Sequence, residues 1–347
     1  MNRSELIFLY DIKDNNPNGD PLDSNKPRID EETGINLVTD VRLKRTIRDY
    51  LYDYKNEEIF VREIRDEEGN VQDGKTRALD FLNEKIEEDK KRKEIISNFI
   101  SGNLKIEKKE FSIIKENIAK NVIKNSIDTR LFGATIPVEV PKSRTKDGKK
   151  EISGSITFTG PVQFNMGKSL HKVSIKRIKG SGAFASGEDK ENKTFREEYI
   201  LPYSLIGFYG VINEHAAVAT NLDVNDINLM IEAIWNGTKN LISRSKVGQV
   251  PRMLLKVNYK EKSFHIGDLL MDIKLETELA DEEAIRGLED FSLNIDMLIK
   301  SLNKHKSKIE SIEYIVEEKV SFKLNGSIVK LEDAFAELSP KLLEIEG

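Results

Sequence analysis

The sequence predicts an α+β protein, and three features carry this prediction. Short apolar runs, rich in β-branched and aromatic residues and bounded by turn formers, are typical of strands. Two other segments repeat their apolar residues at the spacing of a helix. With the inserted segments set aside, the order is strand, helix, strand, strand, helix, strand, which is the split arrangement of a ferredoxin-like or RRM-like fold.

The first strand and the first helix are predicted near the start of the chain. Residues 4–11 form an apolar and aromatic run that ends in the turn-rich segment 14–21. Thr39 or Asp40 can cap the following helix, which we expect to extend to residue 54 because its apolar residues recur every three or four positions. Basic residues flank the apolar stripe, so the segment predicts an amphipathic helix with basic edges.

The other elements are predicted farther along the chain. The second core helix begins at Asp223 or Asn225 and extends to about residue 241, with apolar residues on one face. The glycines of 180–187 predict a flexible loop. The predicted strands are 153–165, 171–178, 199–210, 252–259 and 268–275, and the helices predicted in an insertion are 76–99 and 111–125.

These elements predict a core with two insertions and an extension. The predicted core contains residues 1–55, 128–165 and 198–275. The inserted and appended parts are a helical region at 56–127, a basic, Gly-rich loop at 166–197 and an acidic C-terminal extension at 276–347.

The net charge of −5 is unevenly distributed. Residues 142–179 carry ten basic and two acidic side chains, and residues 239–260 carry six basic and no acidic ones. Residues 266–347 instead carry 19 acidic and 10 basic side chains. Opposed charges of this kind suit a protein that holds a polyanion on one side. The alternative is that each charged run is only solvated surface.

Composition excludes several classes of protein. The 347 residues include no cysteine, which excludes disulfides, thiolate metal ligands and cysteine nucleophiles and suits a reducing cytoplasm. No apolar run approaches the roughly 18 residues that span a bilayer. The apolar stretch 6–10 is too short for a signal peptide. We therefore expect a cytoplasmic protein without a membrane partner.

Three enzyme or metal signatures are incomplete. The segment that begins at Asp14 resembles a calcium-binding loop but has Asn25 where that loop needs glutamate. Residues 167–169 resemble the end of a P-loop without its upstream glycine, and 180–185 resembles a dinucleotide fingerprint without the helix that should follow. No metal, cofactor or catalytic residue is therefore predicted. Structural roles, packed or in strands, are expected for His171, His215 and His265.

Four polar or basic clusters predict contact with a nucleic-acid backbone. The loop containing Asn18 and Gly19 offers backbone N–H groups and side-chain amides to a phosphate or sugar. On the first helix, basic side chains four residues apart can contact successive phosphates. The alternative is that each cluster is only a cap or a solubilising charge. The remaining candidates are Lys44, Arg45 and Arg48 on that helix, Gln163, Lys168 and Ser169 at a strand end, and Arg244 and Lys246 after the second helix.

Five segments in this order resemble the Csh-type branch of the Cas-seven family, the type I-B backbone of the CRISPR Cascade complex. The resemblance covers most of residues 4–260, and the acidic C-terminal third carries no matching motif. The segments are YDIKDNNPNGDP at 10–21, VTDVRLKRTIRDY at 38–50, DTRLFG at 128–133, GPVQ at 160–163 and SRSKVGQVPR at 243–252.

The resemblance implies a fold and a set of partners. The core would be an RRM-like palm, with 56–127 as the finger-like region and 166–197 as the thumb candidate. Several copies would assemble along one guide CRISPR RNA for recognition of the target DNA strand, beside guide-handle-binding, large and small Cascade subunits. Such a subunit is not an enzyme, and it holds the spacer through phosphates without reading its sequence. The implied phosphate contacts are Lys44, Arg45 and Arg48, with Lys168, Lys172, Arg244 and Lys246 as further candidates.

Two other functions stay open at this point. Related type III backbones cleave target RNA with a loop aspartate, and Asp20, Asp23 and Asp30 lie in the corresponding loop. A generic single-strand RNA-binding protein would act as a monomer without partner subunits.

Overall fold

The strands account for much of the chain. The computed structural model describes residues 2–65, 67–185, 193–336, 338 and 342–344. In chain order the strands are β1 (Ser4–Asn15), β2 (Gly19–Asp20), β3 (Lys26–Pro27), β4 (Ile29–Asp30), β5 (Ile35–Val38), β6 (Gly133–Val140), β7 (Ile152–Thr159), β8 (Val162–Phe164), β9 (Gly167–Lys172), β10 (Lys176–Ala185), β11 (Lys193–Ile212), β12 (Val250–Tyr259), β13 (Lys274–Glu276), β14 (Ser292–Asn294), β15 (Ile309–Val316), β16 (Phe322–Leu324), β17 (Ser327–Val329) and β18 (Leu342–Glu344).

Helices lie between these strands. In the part of the chain that the structure describes, none of the helices is long and apolar enough to cross a membrane. The helices are α1 (Asp40–Lys55), α2 (Gly74–Leu79), α3 (Lys90–Ile100), α4 (Lys108–Asn125), α5 (Ile127–Phe132), α6 (Glu214–Thr220), α7 (Val224–Lys239), α8 (Asp296–Lys304) and α9 (Leu331–Phe335).

The chain divides into two compact units. The first contains Met1–Ile47, Gln163–Asn213 and Ile231–Gly347, and the second contains Arg48–Val162 and Glu214–Met230. This division differs from the one drawn from sequence, because residues 128–162 fall in the same unit as the helical insertion.

The first unit is built on a large, mostly antiparallel sheet. Its strand order is β18-β15-β12-β1-β11-β9-β5-β4, and β8 and β10 also pair with β11. The long strand β1 lies between β11 and β12 in antiparallel pairs, with Phe8 opposite both Phe208 and Leu254. Only β18 runs parallel to its neighbour β15 among the pairs described for this sheet. The α+β class predicted from the sequence is confirmed.

The C-terminal residues cover one face of this sheet. Ile7 and Leu9 of β1 share one buried cluster with Leu298, Phe322 and Phe335 from the C-terminal region. A small second sheet, ordered β13-β14-β16-β17, contributes to the same region, and β15 extends the main sheet beside β12. Burial of each such side chain stabilises the fold by about 1.5–3 kcal/mol. Residues of 276–347 therefore complete the hydrophobic core of the first unit.

The second unit has a separate hydrophobic core. Ile96 of α3 and Ile114 and Ile118 of α4 pack in one cluster with Ile136 and Val138 of the β6–β7 hairpin. Helix α4 begins with a reciprocal capping box between Glu107 and Glu110, which supplies partners for N–H groups that a helix start leaves unpaired. The predicted helix at 111–125 is confirmed within α4.

Two glycines of the resemblance motifs permit a close backbone crossing in this unit. Gly133 has a φ of 71°, and a Cβ placed there would lie 2.2 Å from the carbonyl oxygen of Phe158. A Cβ on Gly160 would lie 2.0 Å from the carbonyl carbon of Phe132. The DTRLFG and GPVQ motifs thus contain glycines that the local backbone requires.

The predicted helix at 76–99 is wrong as a single element. The segment instead forms α2, a 3-10 turn at Glu84–Ile86 and α3. The side chains of Asp73, Asn83 and Asp89 each accept a hydrogen bond from a backbone N–H at the start of one of these pieces. These polar residues are caps that begin new helices, whereas the sequence pattern treated the charged residues as the solvated face of one helix.

Several strand predictions also need correction. The predicted strand 171–178 is two strands, β9 and β10, and the predicted strand 153–165 divides into β7, paired with β6, and β8, paired with β11. The predicted loop 180–187 is wrong for residues 180–185, which continue β10 against β11, while 186–187 lie outside the described residues. The predicted strand 268–275 is largely the 3-10 turn Leu269–Asp272. The strands predicted at 4–11, 199–210 and 252–259 and both core helices are confirmed.

Candidate nucleic-acid interface

Two of the predicted clusters meet where the loop after β1 contacts the loop after α7. The Lys246 ammonium donates a hydrogen bond to the carbonyl oxygen of Asn16, at 2.6 Å. In return the side-chain amide of Asn15 donates to the carbonyl oxygen of Val247. These reciprocal bonds hold the Asn16–Gly19 and Ser243–Lys246 segments against each other.

The loop after β1 is also bonded to the start of α1. The side-chain oxygen of Asn18 accepts hydrogen bonds from the N–H and the hydroxyl of Thr39, at 2.9 and 3.0 Å. The Thr39 hydroxyl in turn accepts from the N–H of Arg42, 3.2 Å away, as a helix cap. Gly19 has no room for a side chain, because a Cβ would lie 2.1 Å from the Asn25 side-chain oxygen. The structure therefore places Asn18 and Gly19 in positions that shape the loop.

One turn farther along α1, Lys44 reaches a third predicted cluster. Its ammonium donates to the Asp40 carboxylate at 3.0 Å and to the side-chain oxygen of Gln163 at 3.1 Å. Gln163 lies exposed on β8. A hydrogen-bonded path thus leads from Lys246 through the loop after β1 and the start of α1 to Gln163.

The candidates on β9 differ in their accessibility. Lys168 is exposed and lies opposite Leu37 of β5 in the sheet register, two residues before the α1 cap. Lys172 is also exposed, and its backbone N–H donates to Glu282 at 2.9 Å. Ser169 is buried, because its hydroxyl donates to the His171 carbonyl oxygen at 2.6 Å and accepts from the Asn36 N–H at 2.9 Å. The two lysines can contact a phosphate, whereas Ser169 bonds strands together.

Arg48 lies in the second unit and is engaged there. Its guanidinium pairs with Asp128 at 2.9 Å and lies over the Phe132 ring. The fully buried Asp128 carboxylate also accepts from the backbone N–H groups of Phe60 and Val61. Arg48 therefore neutralises a buried charge. Arg45, in contrast, has an exposed side chain on α1.

Arg244 lines a cleft of about 360 Å³ together with Asn16, Glu198 and Ser243. Its guanidinium pairs with Glu198 at 2.8 Å, and its side chain is 61% exposed.

These contacts define one surface, the polar surface. It consists of the Asn16–Gly19 loop, the start of α1, Gln163, Lys168 and the 243–247 loop. All of its residues belong to the first unit.

The charge of Lys246 is sensitive to its surroundings. Burial of the ammonium and, to a smaller extent, repulsion from Arg42 lower the pKa of Lys246 to about 8. The bond to Asn16 gives the ammonium a carbonyl partner, which stabilises the charge less than a carboxylate would. An anion at this place would therefore stabilise the protonated form.

The aromatic residues of the central strands cannot serve as an open stacking platform. Phe8 and Tyr10 stack at a centroid distance of 5.6 Å, and Tyr10 and Phe208 at 6.3 Å. All three are buried. Many RNA-binding sheets instead expose such residues to stack on bases. These three rings therefore offer no open face on which a base could stack.

The loop aspartates have local partners. Asp20 pairs with Arg28 at 2.7 Å and Asp23 with Lys26 at 2.8 Å, while Asp30 accepts from the backbone N–H of Glu32. Hydrogen bonds from Thr33 and Glu32 lower the pKa of Asp30. Within residues 2–65, 67–185, 193–336, 338 and 342–344, no three acidic or histidine side chains are grouped to hold a metal ion.

The three histidines that were expected to have structural roles lie in different settings. His171 is buried, where Nδ1 donates to the Lys172 carbonyl oxygen and Nε2 accepts from the Leu205 N–H, and burial lowers its pKa. His215 is exposed rather than packed, and His265 lies in an exposed loop rather than a strand. Both expectations were wrong because an adjacent apolar residue does not fix which way a polar neighbour faces.

Two residues were not predicted: Asn15, directly before the loop of the polar surface, and Arg42, at the start of α1. Asn15 joins the two loops, and Arg42 lies close enough to Lys246 to affect its pKa. Asn15 belongs to an Asn-rich turn in which any amide could bond a neighbouring loop. Arg42 lies in the first turn of α1, next to the loop that its cap holds, and this adjacency is the signal that could have identified it.

The structure is similar to a chain of a solved CRISPR RNA-guided surveillance complex in a pre-nicking state, with a TM-score of 0.51 and 11% sequence identity over 94% of this chain and 96% of that chain. The similarity at this identity concerns the fold alone.

Comparison of the amino-acid sequence identifies the family to which the chain belongs. The family model of CRISPR-associated protein Cas7 matches residues 2–296, and the chain belongs to this family. The CRISPR-associated protein Cas7 of Haloferax volcanii is 27% identical over 346 residues, which cover 98% of this chain and 94% of that protein.

Proposed function

We propose that this chain is a backbone subunit of a type I CRISPR Cascade surveillance complex that holds the guide RNA through its phosphates. The observation that carries this proposal, beside family membership, is the hydrogen-bonded path from Lys246 to Gln163. Residues that lie more than 200 positions apart in sequence form one polar surface with exposed lysines at its edge. Such a surface matches the chemistry of a polyanion.

The strand order supports an RRM-like palm. Strands β12, β1, β11 and β9 lie side by side, which is the order fourth, first, third and second of the split arrangement. The β10–β11 hairpin is the proposed thumb, since β10 pairs with β11 alone among the described strands. The helical residues of 56–127 are the proposed finger.

The mode of binding follows from the chemistry of the polar surface. Its side chains include lysines, arginines and amides, and the sheet aromatics Phe8, Tyr10 and Phe208 are buried. Phosphate contacts fix the position of a strand without reading its bases, so one subunit can accept any spacer sequence. We therefore propose that several copies bind along one guide, leaving base edges free to pair with the target DNA strand.

The proposed partners and location follow from this role. They are the guide CRISPR RNA, the target DNA strand, further copies of this chain and the guide-handle-binding, large and small Cascade subunits, assembled in the cytoplasm where the guide is transcribed. We propose no catalytic role, and this is supported by the local ion pairs that engage Asp20 and Asp23.

Binding to single-stranded RNA as a function of salt tests the proposal. Affinity should be similar for RNAs of different sequence and should fall steeply as salt rises, because each phosphate contact releases counterions. In Lys168→Ala with Lys172→Ala, the slope of log affinity against log salt should decrease by about 0.7 for each phosphate that the variant no longer neutralises.

A matched control removes the same charge elsewhere. Lys300→Ala with Lys304→Ala, both exposed on helix α8 of the acidic C-terminal region, should leave the slope unchanged. Binding that is insensitive to salt, or that depends on one particular base sequence, would contradict the proposal.

A further inference from the structure

Arg252 occupies an irregular position in strand β12, which lies between β1 and β15 in the sheet of the first unit. The register of β12 against β1 shifts between Leu9 and Tyr10, which leaves Arg252 without a residue opposite it on β1. Successive side chains of a strand point to opposite faces, and a bulge of this kind redirects the side chain that it contains. Without the bulge, Arg252 would lie opposite Tyr10 and would face away from Asp11.

The redirected guanidinium joins two carboxylates. Its Nε lies 2.9 Å from Oδ2 of Asp11, and its Nη1 donates to Oε2 of Glu317 at 2.8 Å. The backbone N–H of Glu317 donates in return to the Arg252 carbonyl oxygen, at 2.9 Å. The Tyr203 hydroxyl of β11 donates to the same Asp11 oxygen, at 2.9 Å. These four residues form the Arg252 cluster, where β1, β11, β12 and the segment after β15 meet.

The Arg252 cluster is largely buried, so its charges depend on one another. The side chain of Asp11 is 5% exposed and that of Arg252 is 15% exposed. Burial raises the pKa of Asp11, and the contacts with Arg252 and Tyr203 offset part of this effect. Removal of one partner would leave a buried charge uncompensated. The relative positions of these side chains are therefore strongly constrained.

The backbone pairing of β12 with β1 is interrupted beside this cluster. Pro251 has no backbone N–H to donate to a neighbouring strand, and the bulge disrupts the ladder of hydrogen bonds at the same place. The pairing ends where Asp11 lies opposite Val250. The loop with Lys246 lies just before Val250. The Arg252 cluster therefore fixes β12 against β1 where the two strands separate into loops of the polar surface.

The contacts between these two loops need aligned strand ends. The Lys246 ammonium bonds to the Asn16 carbonyl oxygen, and the Asn15 amide bonds to the Val247 carbonyl oxygen. Asn15 is the last residue of β1, and Val247 lies three residues before β12. A shift of one strand against the other would separate both donors from their acceptors.

We propose that Arg252 is a positioning residue for guide binding, because its pairs with Asp11 and Glu317 set the register that brings Lys246 onto the polar surface. This rests on the proposed function. It also gives the acidic C-terminal region a part in RNA binding, since Glu317 lies beyond residue 296, where the match to the family model ends.

The pKa of Lys246 in the RNA-free full chain reports whether the loop is in place. The ammonium faces the Asn16 carbonyl oxygen, the Ser245 hydroxyl and, from α1, Arg42, and its pKa is about 8 chiefly because of burial. In Arg252→Gln the released loop should expose the ammonium to water, so this pKa should rise toward the roughly 10.4 of an ordinary lysine. Lysine side-chain NMR signals, with that of Lys246 identified by its loss in Lys246→Arg, measure the change.

The RNA affinity of the same variant gives a second readout. In Arg252→Gln, Lys246 would no longer lie on the polar surface. The affinity for single-stranded RNA of any sequence should therefore decrease about tenfold, as expected for the loss of one charge-assisted contact. The slope of log affinity against log salt should decrease by about 0.7, because one phosphate is no longer neutralised.

Lys256, four residues farther along β12, provides a matched control. It is buried, and its ammonium pairs with Glu313 of β15 at 2.9 Å. Lys256→Gln therefore also removes a buried ion pair between β12 and the C-terminal region, but at a greater distance along the strand from the loop. This variant should lose stability and keep the wild-type Lys246 pKa and salt slope.

If Arg252→Gln fails to fold, Arg252→Lys decides the outcome. It keeps a positive charge beside Asp11 but replaces the planar fork by a single ammonium, which cannot pair with both carboxylates in the same geometry. The Lys246 pKa should rise in this variant as well.

The outcomes separate this proposal from the function on which it rests. An unchanged Lys246 pKa in a folded Arg252 variant, or an equal rise in Lys256→Gln, would overturn the role of Arg252. Failure of the wild type to bind RNA, while the Lys246 pKa responds to Arg252 as expected, would instead overturn the proposed function and leave the positioning of Lys246 by Arg252 standing.

Discussion

The ammonium of Lys246 lies 2.6 Å from the carbonyl oxygen of Asn16, although the two residues are 230 positions apart in the chain. This bond, with the one from Asn15 to Val247, joins a loop of the first strand to a loop that follows the second core helix. Both loops contain residues predicted to contact RNA. The contact between these two loops, together with the hydrogen bond from Thr39 at the start of α1 to Asn18, places three predicted clusters on one surface.

RNA affinity should depend on pH through Lys246. Its pKa is lowered to about 8, chiefly by burial, and a bound phosphate would raise it. Below about pH 8 the lysine is already protonated, so affinity should be greatest there and should decrease as the pH rises above that value. Titrations across this range, at constant salt, measure the effect.

Replacement of Lys246 by arginine tests whether loss of the lysine's charge causes the pH dependence of RNA affinity. Lys246→Arg stays protonated, so its RNA affinity should be flat over the same pH range. Lys239→Arg, at the exposed end of α7, should keep the wild-type pH dependence. A wild-type affinity that does not change between about pH 7 and 9.5 would contradict the assignment of Lys246.

Alanine substitutions of Lys44 and Arg48 should have different effects on RNA binding and on stability, although both residues were predicted to hold phosphates. Arg48→Ala leaves the buried Asp128 carboxylate without its guanidinium, which should lower the free energy of unfolding by about 3–5 kcal/mol. Lys44→Ala should weaken binding to all RNA sequences about equally while stability changes by less than about 1 kcal/mol. Denaturant unfolding and RNA titration of both variants measure this difference, and an unaltered stability of Arg48→Ala would show that the ion pair is dispensable.

Gly133 should be intolerant of any side chain. In Gly133→Ala, the new Cβ meets the Phe158 carbonyl oxygen at a positive φ, so we expect the free energy of unfolding to fall by at least about 2 kcal/mol. Gly102→Ala is the matched control, because Gly102 also has a positive φ, 79°, but nothing lies within 4 Å of its Cβ site. That variant should be destabilised by only about 1 kcal/mol, and equal destabilisation of the two variants in thermal unfolding would refute the close crossing.

Asp23 should not support RNA cleavage. Its carboxylate pairs with Lys26, and its side chain is 61% exposed. Labelled RNA incubated with wild type and magnesium should therefore stay intact, as it should with Asp23→Ala. Cleavage by wild type that disappears in Asp23→Ala would favour the alternative of a type III-like nuclease.

Local sequence patterns predicted the core elements but not their partners. The periodicity of α1 and α7 and the strands 4–11 and 252–259 were sufficient, because their apolar residues face a core. The predicted loop at 180–187 contains the end of β10, since pairing with β11, which no local pattern indicates, stabilises an extended glycine-rich segment. The role of 276–347 depends on Phe322 and Phe335 reaching the sheet, which no local motif encodes.

The sequence predicted only part of the candidate site, because local patterns do not show which distant residues a side chain contacts. Residue type and spacing identified Lys44, Lys168 and Lys246, whose side chains lie on or beside the polar surface. They did not show that Arg48 neutralises Asp128 or that Ser169 is buried, because both facts depend on residues far away in the sequence. The contacts of these candidates with RNA remain predictions.

The most direct test of the central claim is what the protein carries when it is purified. Expressed together with a CRISPR array and its proposed partner subunits, the chain should be recovered in a large particle with several copies of itself and RNA of uniform length. Size-exclusion chromatography with light scattering, followed by RNA sizing, measures both quantities. Recovery as a monomer without RNA, while the partner subunits still assemble on the guide, would contradict the account.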